Sequence, residues 1–151
     1  MFALPPIQGI ISEEIKTYLP DGLHFRRGVQ NMRVRDMELE IPIPPLAADP
    51  TKPDWGVVQK AWWDAIQAVY EDPTAPMRIA LEMRITGNSD MIMAAQTNNT
   101  FGTASIEILT TMPAVAEGVW GPFAQKVSDL WTSYEASGEL LNVRPHWAKE
   151  W

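Results

Sequence analysis

"MRIALEMRIT", Met77 to Thr86, sets Met77, Ile79, Leu81, Met83 and Ile85 at alternate positions, with Arg78, Ala80, Glu82, Arg84 and Thr86 between them. Successive side chains of an extended chain point to opposite sides. The segment therefore reads as a strand with one apolar and one charged face, suited to a sheet covered on one side. Glu82 and Arg84, two residues apart, share the charged face.

Two further stretches repeat the pattern. "TASIEILTT", Thr103 to Thr111, alternates Ala104, Ile106 and Ile108 with Ser105, Glu107 and Leu109. "NMRVRDMELEIPIPP" places Met32 and Val34, then Met37, Leu39 and Ile41, at alternate positions, which implies a half-buried strand with a register change near Asp36. Glu38 and Glu40 fall among the outward charges of that strand. The proline-rich "PPLAADPTKP" after it is loop.

Asp54 stands where a helix N-cap belongs, and Trp55, Val58, Trp62, Ala65, Ile66 and Val69 recur at helical spacing up to Tyr70. The stripe holding Trp55, Trp62, Ile66 and Val69 is expected in the core, with Trp63 off it. A second helix is expected from about Pro113 to Ser137, with Val115, Val119, Phe123, Val127, Leu130, Trp131 and Tyr134 on its apolar side. Gly138 closes it, and "ELLNV" reads as a last short strand. The order strand, helix, strand, strand, helix, strand predicts an α+β, ferredoxin-like split β-α-β arrangement, an antiparallel sheet with two helices on one face. Its uncovered face would carry Glu82, Arg84 and Glu107.

The bulk numbers exclude several classes of function. At 151 residues, 46% hydrophobic and 21% charged, the chain is a folded protein that buries roughly 70% of its unfolded surface. Residues 1–22 read as an N-terminal extension and 23–151 as the domain. Twelve basic against nineteen acidic residues, a net charge of -7, repel a phosphate backbone, so nucleic acid is not an expected partner. Without cysteine there is no thiolate nucleophile, and two histidines far apart predict no zinc site. The start, "MFALPPIQGIISEEI", lacks the basic region of a signal peptide, and no apolar run reaches the length of about 18 that a membrane helix needs. The expectation is a cytoplasmic protein with no membrane partner.

Candidate chemistry lies in two places. Glu82, Arg84 and Glu107 put a carboxylate, a guanidinium and a second carboxylate across two strands, a set that can bind a polyol or transfer protons. The ending "RPHWAKEW" holds His146 between Pro145 and Trp147, with Lys149 after it, in a stiff apolar setting. Trp147 is expected to pack on the sheet or a helix and so aim His146 and Lys149 at the charged face. His24, beside Arg26 and Arg27, is a weaker candidate.

Four stretches together resemble the C-terminal substrate domain of the sugar-1,4-lactone and alditol oxidases, the D-arabinono-1,4-lactone oxidase-like flavoenzymes of the vanillyl-alcohol oxidase superfamily. They are "MELEIPIP" (Met37 to Pro44), "EMR" (Glu82 to Arg84), "IEILT" (Ile106 to Thr110) and "RPHWAK" (Arg144 to Lys149), the last being the most specific. The resemblance covers nearly the whole chain from about Leu23. It implies that Glu82 and Arg84 hold substrate hydroxyls or a lactone oxygen, with Arg144 and Trp147 also lining the substrate. It further implies that His146 and Lys149 reach toward the reactive edge of a flavin.

No glycine-rich pyrophosphate loop and no dinucleotide-binding βαβ unit are present in the sequence. The expectation is therefore no cofactor for this chain, with FAD present only if a separate flavin domain supplies it. The feasible chemistry without flavin is acid/base, of the isomerase, lyase, dehydratase or cyclase type, through Glu82, Glu107, His146 and Lys149. Two alternatives stand beside it. One is the substrate subunit or a fragment of an FAD-dependent oxidase, whose exposed flavin-facing patch would be covered by a flavin-domain partner or in a homodimer. The other is a non-catalytic binding module.

Overall fold

A computed structural model describes residues 16, 18, 19, 34–77, 80–111 and 117–150. The chain divides into two units, Met1–Met32 and Arg33–Trp151, and the fold below is that of the second. His24, Arg78, Ile79 and the expected start of the second helix lie outside the described residues.

Four strands form the main sheet: β1 (Val34–Pro42), β4 (Leu81–Thr86), β5 (Thr103–Thr111) and β8 (Arg144–Pro145). Two small hairpins, β2 (Pro45–Leu46) with β3 (Asp49–Pro53) and β6 (Glu135–Ala136) with β7 (Glu139–Leu140), lie outside it. The helices are α1 (Trp55–Glu71) and α2 (Glu117–Thr132). The sheet order is β4-β5-β1-β8, with every neighbouring pair antiparallel. Thus β5 lies between β1 and β4, and β1 between β5 and β8, which is the interleaving of two split β-α-β units expected from the element order.

Alternation decides the two faces. Met37, Leu39 and Ile41 of β1 pair with Ile108, Ile106 and Ala104 of β5, and these with Leu81, Met83 and Ile85 of β4, so one face is an apolar grid. The pairing of β1 with β5 runs without a break from Val34↔Thr111 to Pro42↔Thr103. This corrects the expected register change near Asp36: the strand is regular, and Arg35 lies on the apolar side. There its guanidinium sits 5.7 Å from the centre of the Trp120 ring and pairs with Glu150 at 2.8 Å. A stacked, paired arginine tolerates an apolar face because its stem and ring-like head pack well.

Asp54 caps α1 by accepting the Gly56 N–H at 2.8 Å. The buried seam of α1 is Val58, Ala61, Ala65 and Ala68, so the helix is rotated from the tryptophan stripe the sequence suggested, and Trp55 is exposed. The alanines leave a groove that α2 fills. Trp120, Phe123, Val127 and Trp131 of α2 are buried, and the Trp131 indole donates to the Ala61 carbonyl at 3.0 Å. Helix α2 stops at Thr132 rather than Ser137. Ser137 (φ 54) and Gly138 (φ 82) instead form the turn of the β6–β7 hairpin, where two consecutive positive φ angles suit a tight two-residue connection.

Candidate functional site

The other face of the sheet carries the charged candidates. Register places Glu82, Glu107 and Glu38 in one row across β4, β5 and β1, and the His146 N–H donates to the Glu38 carbonyl at 2.9 Å, which adds His146 at the end of that row. The next row is Arg84, Ser105, Glu40 and Arg144. Strands lie about 4.8 Å apart. Glu82 and His146 are therefore at opposite edges, separated by roughly 14 Å, three such spacings.

This face is not open. Glu38 and Glu40 are each only 1% exposed, and Glu107 is also buried. The C-terminal segment covers part of it, and Gln96 reaches Glu40 from the loop between β4 and β5. Arg144 fastens that loop by donating to the carbonyls of Ala95 at 2.9 Å and Thr97 at 3.0 Å. It is thus turned toward loop backbone.

Arg84 and Lys149 knit the middle of the face together. Arg84 Nη1 donates to Glu38 at 3.1 Å and Nη2 to Glu107 at 2.6 Å, with Glu82 at 3.7 Å. Lys149 Nζ donates to Asp36 at 2.8 Å and Glu107 at 2.5 Å, and lies 3.9 Å from Glu38. The hydrogen bond to Glu107 holds the Arg84 pKa above its ordinary value. Burial disfavours the Lys149 charge, but hydrogen bonds to Asp36 and Glu107 outweigh it and its pKa is raised. Burial, reinforced by the neighbouring Glu38 charge, pushes the Glu40 carboxyl above the usual carboxylate range.

Among the sequence-derived candidates, the structure brings Glu82, Arg84, Glu107 and Lys149 into one network. His146 belongs to a different corner: one ring nitrogen and one carboxylate oxygen each from Glu38 and Glu40 lie within 4.8 Å of one another. The Trp147 side chain is 74% exposed and stacks on the His146 ring, centroids 6.0 Å apart. The expectation that Trp147 anchors the tail is therefore corrected. The tail is tied by backbone, through His146 N–H to Glu38 and Glu150 N–H to Asp36 at 3.0 Å, and by the charges of Lys149 and Glu150.

Sequence reasoning missed Asp36, Glu38 and Glu40, which alternate like any solvated strand face. The signal was partly available: in a ferredoxin-like sheet the first strand lies beside the third, here "IEILT", and the register of the structure then sets Glu38 against Glu107. Ser105 donates to the Glu38 Oε1 that Arg84 also holds, while the Oε2 atoms of Glu38 and Glu40 have no hydrogen-bond partner.

No family model, characterised protein or solved structure matches this chain. No helix among the described residues is long and apolar enough to cross a membrane. Gly102, with φ 91, serves a close backbone approach to Thr86.

Proposed function

We propose that Arg84 and Glu82 bind a small oxygen-rich molecule, a polyol, lactone or sugar acid, and that the chain acts on it by proton transfer without a flavin of its own. The reaction class is isomerase, lyase, dehydratase or cyclase. One observation carries the reading. The Arg84 guanidinium is fixed from behind by two buried carboxylates, yet its side chain is 49% exposed. Of the five N–H donors a guanidinium offers, Nη1 and Nη2 each spend one on these carboxylates, so a rigid donor fork still faces outward.

Glu82, half exposed and 3.7 Å from that fork, is the carboxylate free to exchange a proton with a bound ligand. Glu107 is committed to Arg84 and Lys149 and acts as a positioning residue. The resemblance of "EMR" to a substrate-holding strand of the sugar-lactone oxidases supports the ligand class.

The test is a thermal-shift screen of the full chain against polyols, aldonates and lactones. A ligand at about 100 times its Kd stabilises by roughly 2.7 kcal/mol. Glu82→Gln, on an exposed side chain, should keep the fold and lose turnover. Absence of any ligand shift, or full turnover in Glu82→Gln, would overturn the reading.

A second reading, the substrate subunit of a split flavoenzyme, is favoured by a different observation. Met91, Ile92, Met93 and Trp147 are exposed, and Ile92, Met93 and Trp147 line one shallow depression beside the polar face. Such a patch suits a covering flavin domain. Visible flavin absorbance arising only on mixing with a flavin-domain partner would support it. A concentration-dependent dimer that buries Trp147 would assign the patch to self-association, and a yellow isolated chain would overturn it.

A further inference from the structure

We infer that Glu38, Glu40 and His146 form a binding site for one divalent first-row transition ion. The ligand atoms come from adjacent elements that the fold holds in place. Glu38 and Glu40 share a face of β1, and His146 follows β8 on the neighbouring strand position, its backbone N–H bonded to the Glu38 carbonyl. The three donor atoms lie within 4.8 Å of one another. An ion bonded at about 2.1 Å brings two donors to within about 4.2 Å at most. Small side-chain rotations close that difference.

The unpartnered oxygens point independently to a ligand. Glu38 Oε2 and Glu40 Oε2 belong to residues 1% exposed and have no hydrogen-bond partner. A buried polar atom left so costs about 1–3 kcal/mol, more when charged. Glu38 is oriented for the task. Its Oε1 is held by Arg84 and Ser105, which leaves Oε2 for the ion, an outer-shell arrangement typical of metal ligands.

Charge balance favours a dication. Among the described residues Asp36, Glu38 and Glu107 share the cations Arg84 and Lys149, while Glu40 has no ion-pair partner. Arg144, opposite Glu40, is engaged by the Ala95 and Thr97 carbonyls. Lys149 lies 3.9 Å from Glu38 Oε2 and is occupied by Asp36 and Glu107. The Ala148 N–H approaches His146 Nδ1 at 3.3 Å. Coordination through Nδ1 replaces this long contact, and coordination through Nε2 makes Nδ1 a donor and breaks it.

The donor set names the class of ion. Two carboxylates and one imidazole, with no thiolate available, suit Zn²⁺ or Mn²⁺ better than Mg²⁺ or Ca²⁺, which favour oxygen alone. Three protein ligands leave at least one position for water, the pattern of a catalytic site rather than a structural one. This corner differs from the exposed fork of Arg84, so the ion site stands whether or not that fork holds a polyol.

The experiment is calorimetric titration of the metal-stripped full chain with Zn²⁺ and with Mn²⁺, with Mg²⁺ as control. One Zn²⁺ per chain, bound much more tightly than Mg²⁺ and raising the melting temperature, is expected. Glu40→Gln and His146→Ala should each weaken Zn²⁺ binding by roughly tenfold or more, while His24→Ala should not. His146→Ala alters a partly exposed ring and carries the test alone if Glu40→Gln fails to fold. No stoichiometric Zn²⁺ binding, or full affinity retained in His146→Ala, overturns the proposal.

Discussion

Lys149→Met tests what ties the C-terminal segment to the sheet. The methionine keeps the length and apolar stem of lysine but removes the ammonium from Asp36 (2.8 Å) and Glu107 (2.5 Å). Glu107 retains Arg84 at 2.6 Å, so the group left uncompensated is Asp36, which is half buried. Hydrogen bonds to charged groups are worth about 1.5–3 kcal/mol each, and one of the two acceptors keeps a partner. Lys149 is itself 22% exposed, so part of its interaction is screened by water. The expected loss is about 2–3 kcal/mol, a fall in melting temperature of roughly 10 °C for a domain of this size.

The control is Trp147→Ala. An indole 74% exposed has little burial to lose, and the expected change is within about 0.5 kcal/mol. Urea denaturation measures both, and amide exchange reports the tail directly. In Lys149→Met the His146 and Glu150 N–H groups, bonded to the Glu38 and Asp36 carbonyls, should exchange faster while the core strands stay protected. The reasoning is refuted if Trp147→Ala costs as much as Lys149→Met, or if Lys149→Met leaves stability and tail exchange unchanged.

Two other substitutions test the framework beneath the site. Trp131→Ala empties the groove beside Ala61 and removes the indole's hydrogen bond to the Ala61 carbonyl, and should cost about 3–5 kcal/mol by chemical denaturation. Gly102→Ala places a Cβ 2.4 Å from the Thr86 carbonyl oxygen at φ 91, so it should destabilise by more than about 1 kcal/mol, and a neutral result would mean the turn leading into β5 is wrongly described.

The alternation in three short segments was enough to derive the sheet's two faces, because side-chain period in a strand is a local property of the backbone. The order of elements was likewise enough for the interleaved topology, and Asp54 for the start of α1. The identity of the buried helix seam was not legible in the same way. Tryptophans mark a hydrophobic stripe, but which side of α1 meets α2 depends on where Trp131 fits, and it fits against alanines. The chemistry of the polar face was hidden for a related reason. Glu38 and Glu40 read as ordinary outward charges, and nothing within β1 tells whether water or protein lies over them. Their burial is decided by the tail, more than a hundred residues later in the chain, and by the loop that Arg144 holds. Desolvation is a property of whatever covers a group, so only the tertiary structure could turn two unremarkable glutamates into a buried pair with unpartnered oxygens.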